Sequence, residues 1–582
     1  MLGYIRAVAT DFDGTLVMNQ AKPSKDVLLS IENYRQAGGV VLLVTGRILK
    51  ELYEVFPDVL QYFDAIVAEN GCVIVTKSEN RELVSPVENQ LYLSLVKSGV
   101  NIRKGQVILA GSSNDRISIL EHIHRLGVDC QLVFNKGELM VLPSGVSKGT
   151  GLFEALGDIG VSHHSTLGVG DAENDHGLLD VCEVGVAVSN ATLYLKSFAD
   201  IVLELPNGRG MVNLFETLTK TNTPAMHSVR WQLRLGETVN EDTAMLPSSQ
   251  IDILICGESG SGKSYLTGLV AERLIGLGYC VLVVDPEGDH QDLGRLRQVT
   301  VINCGSGTVS PERVVSTLTK RFASVVLDMS LMAKEERHLY LEKLASCVDK
   351  SRSVCGLPHW IIEDEAHDTS TGLREKTSKL GGDKPSGKWG HCLTTFRPDM
   401  LDPIAVEQMG AVILTGVGGG KSISSKMLDL LKGLSFVDDT QLNDIENSEA
   451  NSSYLLVKPE IDSSTSFKVA ARVTTHKRHT HKYTEASLPS ERCFYFRNEK
   501  DQIVGLGSNL QSLVRILATC EPGVIRHHSK NHDISNWVKA VFQDKKLARK
   551  LAEVENQLNL GSIPVDIASG KMVHLVKSEY AL

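Results

Sequence analysis

Apolar runs of strand length recur along this chain, and amphipathic stretches of helix length separate them. Residues 5–10, 40–45, 65–68 and 166–170 read as buried parallel strands, with a helix at 24–37 between the first two. That βαβ order restricts the fold to a doubly wound parallel sheet, which gathers ligands at the carboxyl ends of its strands. Residues 78–146 interrupt the pattern. QVILAG, the helical periodicity at 117–127, CQLVFN and ELMVLP make this stretch a small α/β insertion. A second α/β pattern runs from 251 to 480. Between the two, 206–250 is turn-rich (PNGRG, TNTPAM, LPSSQ) and reads as a linker with a short β-rich lead-in. Residues 440–453 are polar, a loop or a surface helix. A third unit, α/β or helical, spans 485–560, with a strand at CFYFRN and a helix at 509–518, and 561–582 follows as a tail.

A chain of 582 residues is too long for one core, and about 150 residues per domain gives three or four. The net charge of −10 carries no basic tail, so bulk electrostatics do not point to nucleic acid. Eleven cysteines without CxxC spacing fit a reducing cytoplasm better than a disulfide framework. No apolar run approaches the roughly 18 residues of a membrane span, so no membrane partner is expected.

The first strand ends in DFDGT. Asp11 and Asp13 project from the turn, one able to attack phosphorus and the other to exchange protons with the leaving group. A carboxylate nucleophile beside a phosphate dianion needs charge cancellation, which calls for Mg²⁺. VLLVTGR ends a strand with Thr45, whose hydroxyl can hold a phosphoryl oxygen. Lys148 can neutralise the nucleophile, and LGVGDAEND supplies Asp171 and Asp175, with Asn174 nearby. In this order the motifs resemble the haloacid-dehalogenase superfamily over residues 1–205, its sugar-phosphatase-like and phosphoglycolate-phosphatase-like subgroup in particular. The resemblance implies a core at 1–77 and 147–205, a cap at 78–146, Asp11 as nucleophile and Asp13 as acid/base. It also implies Mg²⁺ on Asp11, the Asp13 main chain and Asp171, supported by Asp175, and a small phosphorylated substrate. Glu69, Asn70 and Gly71 match a family turn with a structural part.

ILICGESGSGKSY places Gly257, Glu258, Ser259, Gly260, Ser261, Gly262, Lys263 and Ser264 between an apolar strand and a helix. Backbone N–H groups of such a loop cradle phosphate oxygens, Lys263 reaches the β/γ-phosphates of ATP and Ser264 its Mg²⁺. HWIIEDEAHD ends another strand in acid: Asp364 on the metal side, Glu365 polarising water, and Glu363 without an assigned part. Thr395 and Arg397 (CLTTFRPDML) follow a further strand, as γ-phosphate sensor and as nucleotide contact in cis or from a neighbouring subunit, or as a plain surface arginine. Asp285 and Glu287 (VVDPEGD) lie near the nucleotide or a substrate path. Together these elements resemble HerA-like and conjugation-type ATPases over about 227–480. That resemblance implies a RecA-like domain in a hexameric ring that moves DNA or protein. Phe396 stands where the family carries glutamine, and the phosphatase-like domain replaces the family's N-terminal barrel; both weigh against DNA translocation.

His527, His528 and His532 are candidates for a metal or for plain hydrogen bonding, the latter favoured. Asp533, Ser535 and Trp537 read as cap and packing residues, and Lys545, Lys546, Arg549 and Lys550 as a solvated basic face. His163 and His164 carry no strong signal. The expectation is a bifunctional soluble hydrolase, phosphatase and ATPase. The alternative is a ring-forming DNA or protein translocase with an accessory N-terminal domain.

Overall fold

Two sheets built around parallel strands carry the molecule, and each places its acidic loops at one edge. The computed structural model describes the chain apart from residues 1–3, 19–20, 221–227, 239, 259–260, 305–308, 369–388, 417–453, 459–462, 475–492, 543 and 581–582. Ser259, Gly260 and the polar stretch 440–453 therefore lie outside the described residues.

The first sheet contains β1 (Ala7–Thr10), β2 (Val40–Val44), β3 (Ala65–Ala68), β4 (Val73–Val75) and β5 (Asn80–Glu82). A separate antiparallel sheet holds β6 (Ile102–Lys104), β7 (Leu109–Ser112), β8 (Gln131–Asn135) and β9 (Glu138–Leu142). β10 (Thr166–Gly170), β11 (Val184–Ala187) and β12 (Ile201–Val202) complete the first sheet, in the order β12-β11-β10-β1-β2-β3-β4-β5. The chain leaves β1 in one direction toward β2 and β3, and β10 in the other toward β11 and β12. The β1/β10 crevice is thus a topological switch point. β1, β2, β3 and β10 are almost wholly apolar and buried on both faces, as strands covered by helices must be.

The insertion is smaller than 78–146, because β5 pairs antiparallel with β4 and extends the core sheet. The core also runs past 205. Residues 207–219, read from their glycines as linker, form the helix Asn207–Thr219, whose Leu214, Phe215 and Leu218 are buried and whose Phe215 ring meets Tyr34 of the helix Lys25–Gln36. Its apolar positions recur at helical spacing, and that burial outweighs two glycines costing about 1 kcal/mol each.

The second sheet has β13 (Gln232–Thr238), β14 (Thr243–Pro247), β15 (Ile253–Gly257), β16 (Val281–Asp285), β17 (Val299–Asn303), β18 (Ser324–Asp328), β19 (Trp360–Glu363), β20 (His391–Thr395), β21 (Ala411–Thr415), β22 (Tyr454–Lys458) and β23 (Ser463–Val469). The order is β14-β13-β23-β22-β21-β15-β20-β19-β16-β18-β17. From β21 to β17 every pairing is parallel, while β22, β23, β13 and β14 form an antiparallel wing, so the sheet is mixed. The C-terminal unit pairs β24 (Phe494–Arg497) with β25 (Ile503–Gly507) and packs helices against them. The tail expected at 561–582 contains the helix Val565–Tyr580, which buries Ala568, Met572 and Val576 in that core.

The first two units meet at the amino-terminal ends of their strands. Before β1, Arg6 donates to the Arg352 carbonyl at 2.7 Å. Before β10 and β11, His164 and Glu183 share a 2.7 Å contact. Across the junction, His164 Nε2 reaches the Leu277 carbonyl at 2.9 Å, and Glu183 accepts from Tyr279 at 2.8 Å and from Ser249. Tyr279 and Ser249 precede β16 and β15. The carboxyl edges of both sheets, where the acidic loops lie, therefore point away from this junction.

Candidate active sites

At the first switch point, Asp11 follows β1, Thr45 follows β2 and Asp171 follows β10. Lys148 opens the helix Lys148–Ile159, whose Ser147 makes a capping box with Thr150. Its ammonium is fully buried and donates to Asp11 and Asp175 at 2.6 Å each. Asp175 is itself fixed, since its other oxygen accepts the Asp171 and Ala172 N–H groups at 2.9 Å. Oxygens of Asp11, Asp171 and Asp175 lie within 4.8 Å of one another, all buried. Burial first, then Asp175 and Asp171, pushes the Asp11 carboxyl well up against the pull of Lys148, and burial with Asp175 raises Asp171. Burial works against the Lys148 charge, yet Asp11 and Asp175 make it hold its proton more tightly than an ordinary lysine. Three carboxylates against two ammonium groups, Lys148 and Lys136, leave negative charge in excess, which fits a hard divalent cation on oxygen donors. Gly14 serves the same packing: at φ +87 it takes a left-handed turn, and a Cβ there would run into the Asp171 carboxylate.

Asp13 is half-buried and held by a bidentate fork from Arg47, with two bonds of 2.6 Å. The Thr45 hydroxyl accepts the Arg47 N–H at 3.1 Å. Asn174 donates to Asn70 at 3.0 Å. Glu69, fully buried, accepts from the backbones of Gln106, Val107 and Ile108 at 2.9, 2.8 and 3.2 Å, and so anchors the insertion to the core. The turn between β8 and β9 then delivers Lys136 onto the Asp171 carboxylate. The reading from sequence left out Arg47 and Lys136. Arg47 stands two residues past Thr45 and was open to notice; Lys136 lies in an ordinary hairpin turn that only cap docking brings to the site.

At the second site, β15 ends in Gly257 and the helix Lys263–Gly276 follows the loop. Gly262 has φ +103, and a Cβ there would meet the Tyr454 hydroxyl. The buried Lys263 donates to its own loop, at the Glu258 carbonyl, at 3.0 Å, and sits 5.7 Å from the Phe396 ring. Burial lowers its proton affinity, against Glu365 and Asp364. Ser261 bonds Thr415 at the end of β21, and Ser264 is half-buried on the first helical turn. β20 lies between β15 and β19, so Thr395 stands between the glycine-rich loop and the acidic loop.

Asp364 follows β19 and is buried. Burial disfavours its charge most strongly, but the hydrogen bond and the charge of His290, with the Glu365 N–H, together outweigh that and hold the carboxyl below its ordinary range. Glu365 has φ +48, a backbone region few side chains tolerate. His367 links the two loops, with Nδ1 at 3.1 Å from the Thr395 hydroxyl and 3.5 Å from the Glu365 carboxylate, and its ring edge on Phe396. The Arg397 guanidinium pairs with Asp399 in the same turn at 2.9 Å. Asp285, expected near the nucleotide or a substrate path, accepts three backbone N–H groups of its own loop, and burial pushes it up to about 7.

The histidines of the C-terminal unit do not converge. His528 faces Asp533 at 2.8 Å and accepts the Arg497 N–H at 2.8 Å, while His532 meets Glu555 at 3.2 Å. Among the described residues the only grouping suited to a metal is Asp11, Asp171 and Asp175. Lys546 and Lys550 of the basic face both pair with Glu579. Among the described residues no helix is long and apolar enough to cross a membrane.

The sequence model of the haloacid dehalogenase-like hydrolase family matches residues 8–124 and 105–215, and that of the helicase HerA central domain matches 251–348. A phosphoglycolate phosphatase of Sulfurisphaera tokodaii is 28% identical over 221 residues, covering 36% of this chain and 93% of that protein. Phosphoglycolate phosphatase 2 of Saccharolobus solfataricus is 36% identical over 122 residues, 20% of this chain and 49% of its own. A haloacid dehalogenase-like hydrolase structure from B. subtilis aligns over 36% of this chain and 99% of its own, at 19% identity and a TM-score of 0.32. The chain thus joins a stretch that matches the haloacid dehalogenase-like hydrolase family to one that matches the helicase HerA central domain.

Proposed function

We propose that the N-terminal domain hydrolyses a small phosphomonoester through an aspartyl-phosphate, and that the central domain binds and hydrolyses ATP. One observation carries the first half: Lys148 bridges Asp11 and Asp175 beside Asp171, at the switch point of the sheet. Asp11, Asp171 and the Asp13 main chain would hold Mg²⁺, whose charge supplies electrostatic stabilisation of the phosphoryl group. An Asp11 oxygen forms a bond to phosphorus as the bond to the leaving alcohol breaks, and Asp13 gives that alcohol its proton. Water then attacks phosphorus, passes a proton to Asp13, and frees inorganic phosphate and Asp11. Asp13 leaves the Arg47 fork to donate, because a carboxylate in a bidentate ion pair is a poor acid. Lys136 supplies a cationic end to the pocket, in keeping with phosphoglycolate, the substrate in the relatives' names.

At the central site Lys263, Ser264, Thr395 and Asp364 would surround the nucleotide phosphates and Mg²⁺, and Glu365 would orient water. The HerA central-domain match favours a second reading, a ring that moves DNA or protein. Phosphate release from a phosphoester panel, and from ATP with and without DNA, tests both. Asp11→Asn is expected to abolish phosphoester turnover alone, and Lys263→Ala ATP turnover alone. Strong stimulation by DNA with no phosphoester cleaved would favour the motor.

A further inference from the structure

The loop 285–290 (DPEGDH) does not enter the phosphate chemistry above, yet its backbone is tightly specified. Asp285 ends β16 and accepts the N–H groups of Gly288, Asp289 and His290 at 2.8, 3.1 and 2.8 Å. Three donors on one carboxylate curl the loop back over the sheet. β16 is paired with β19, with Val284 opposite Glu363, so a side chain returning over the end of β16 meets the residue after Glu363. That residue is Asp364, and His290 Nε2 lies 2.9 Å from its Oδ2. Both side chains are buried, at 0% and 2% exposure. The other Asp364 oxygen accepts the Glu365 N–H at 3.0 Å, so both ends of the carboxylate are tethered. His290 Nδ1 is buried with no hydrogen-bond partner among the described residues. An imidazole desolvated completely for the sake of one side-chain bond is costly, unless that bond serves the group it holds.

We infer that His290 is a positioning residue that fixes the Asp364 carboxylate to receive the divalent cation of a bound nucleotide. This rests on the reading of the glycine-rich loop as a nucleotide site. Groups that orient a metal-binding carboxylate from behind typically alter metal affinity when removed, and leave direct contacts to the rest of the ligand alone. A role limited to packing predicts something different: lower stability with unchanged dependence on the cation.

The test is equilibrium binding of a fluorescent ADP to the full chain, in EDTA and across a Mg²⁺ titration, for wild type, His290→Ala and His290→Gln. The Ala variant is expected to need about 10- to 100-fold more Mg²⁺ for half of the Mg²⁺-dependent gain, with affinity in EDTA within about two-fold of wild type. The Gln amide nitrogen can stand near the position of Nε2, and that variant is expected to recover most of the loss. A wild-type Mg²⁺ titration in the Ala variant overturns the inference. So does a Gln variant no better than Ala, which would make ring volume the cause. If the Ala variant loses binding in EDTA as well, the Gln variant decides alone: a near-wild-type Mg²⁺ titration upholds the bond, and any other result removes it. A wild-type chain that binds no nucleotide removes the nucleotide reading and this inference with it, whereas wild-type binding with an unaffected Ala variant removes only this inference.

Discussion

The two candidate sites sit at equivalent edges of two sheets, but they differ in readiness. At the first, the ammonium of Lys148 already bridges Asp11 and Asp175, and Asp171 lies within reach of both. At the second, the cations are engaged elsewhere: Lys263 with the Glu258 carbonyl of its own loop and Arg397 with Asp399. A site whose charges already converge is preorganised, whereas one whose cations rest on local acceptors would have to rearrange to take a phosphate. Burial explains only part of the contrast. Lys148 is fully buried between Asp11 and Asp175, and Arg397 is more than a third exposed and takes the nearest carboxylate, but Lys263 is buried too and rests on a carbonyl of its own loop.

The largest break in this comparison is expected from Lys148→Ala. Phosphoester turnover should fall by about 10³-fold, the scale for loss of a preorganised electrostatic partner. The variant also leaves two buried carboxylates, Asp11 and Asp175, without their ammonium, so its thermal midpoint in EDTA should drop below wild type and Mg²⁺ should restore more of it than in wild type. Equal midpoints in EDTA would mean that Lys148 does not offset the repulsion among the buried carboxylates. Lys136→Ala should act next, on KM rather than kcat. Loss of one charge-assisted bond is expected to raise KM for a carboxylate-bearing phosphoester about ten-fold, and to change little for a phosphomonoester whose alkyl group carries no charge. A uniform effect on both substrates would place Lys136 on the cation side of the site instead.

These two residues also show where the sequence stops being informative. Asp11, Lys148 and Asp171 were legible because each follows a strand or opens a helix in a recognisable string, and strand ends converge in a parallel sheet. Lys136 was not, because its position depends on how the insertion docks, and docking is set by Glu69 gripping three backbone N–H groups more than thirty residues away. His290 was hidden for a related reason: the acidic string around it drew attention to Asp285 and Glu287, while the imidazole does the reaching. The helices Asn207–Thr219 and Val565–Tyr580 were missed because glycine-rich or terminal stretches look like linker until their apolar faces find a core. The antiparallel wing of the second sheet escaped because β13 and β23 pair across more than two hundred residues.

Arg397→Ala tests the other side of the comparison, with a smaller expected effect. Because the guanidinium faces Asp399, nucleotide affinity and ATP turnover of dilute protein should stay within about two-fold of wild type, as for other exposed ion pairs. A large loss of turnover that appears only as protein concentration rises would place the arginine in a neighbouring subunit's site.

The mildest prediction concerns the junction behind both sites. Burial first, then the neighbouring His164, lowers His163 to about 3. In the unfolded chain the same group titrates near 6.5. Between those values the unfolded state binds a proton that the folded state refuses, so the native state loses stability as pH falls from about 6.5 toward 3. His163→Phe keeps a ring against Phe153, which His163 meets at 5.2 Å, and removes the titrating group. Its thermal midpoint should therefore fall less steeply with acidity than that of wild type, with no difference in slope above pH 7. Because His164 beside it holds the Leu277 carbonyl of the second domain, the acid limb reports on the seam that joins the two sites. An unchanged slope in the variant would mean that acid acts first on the carboxylates of one domain and leaves the seam intact.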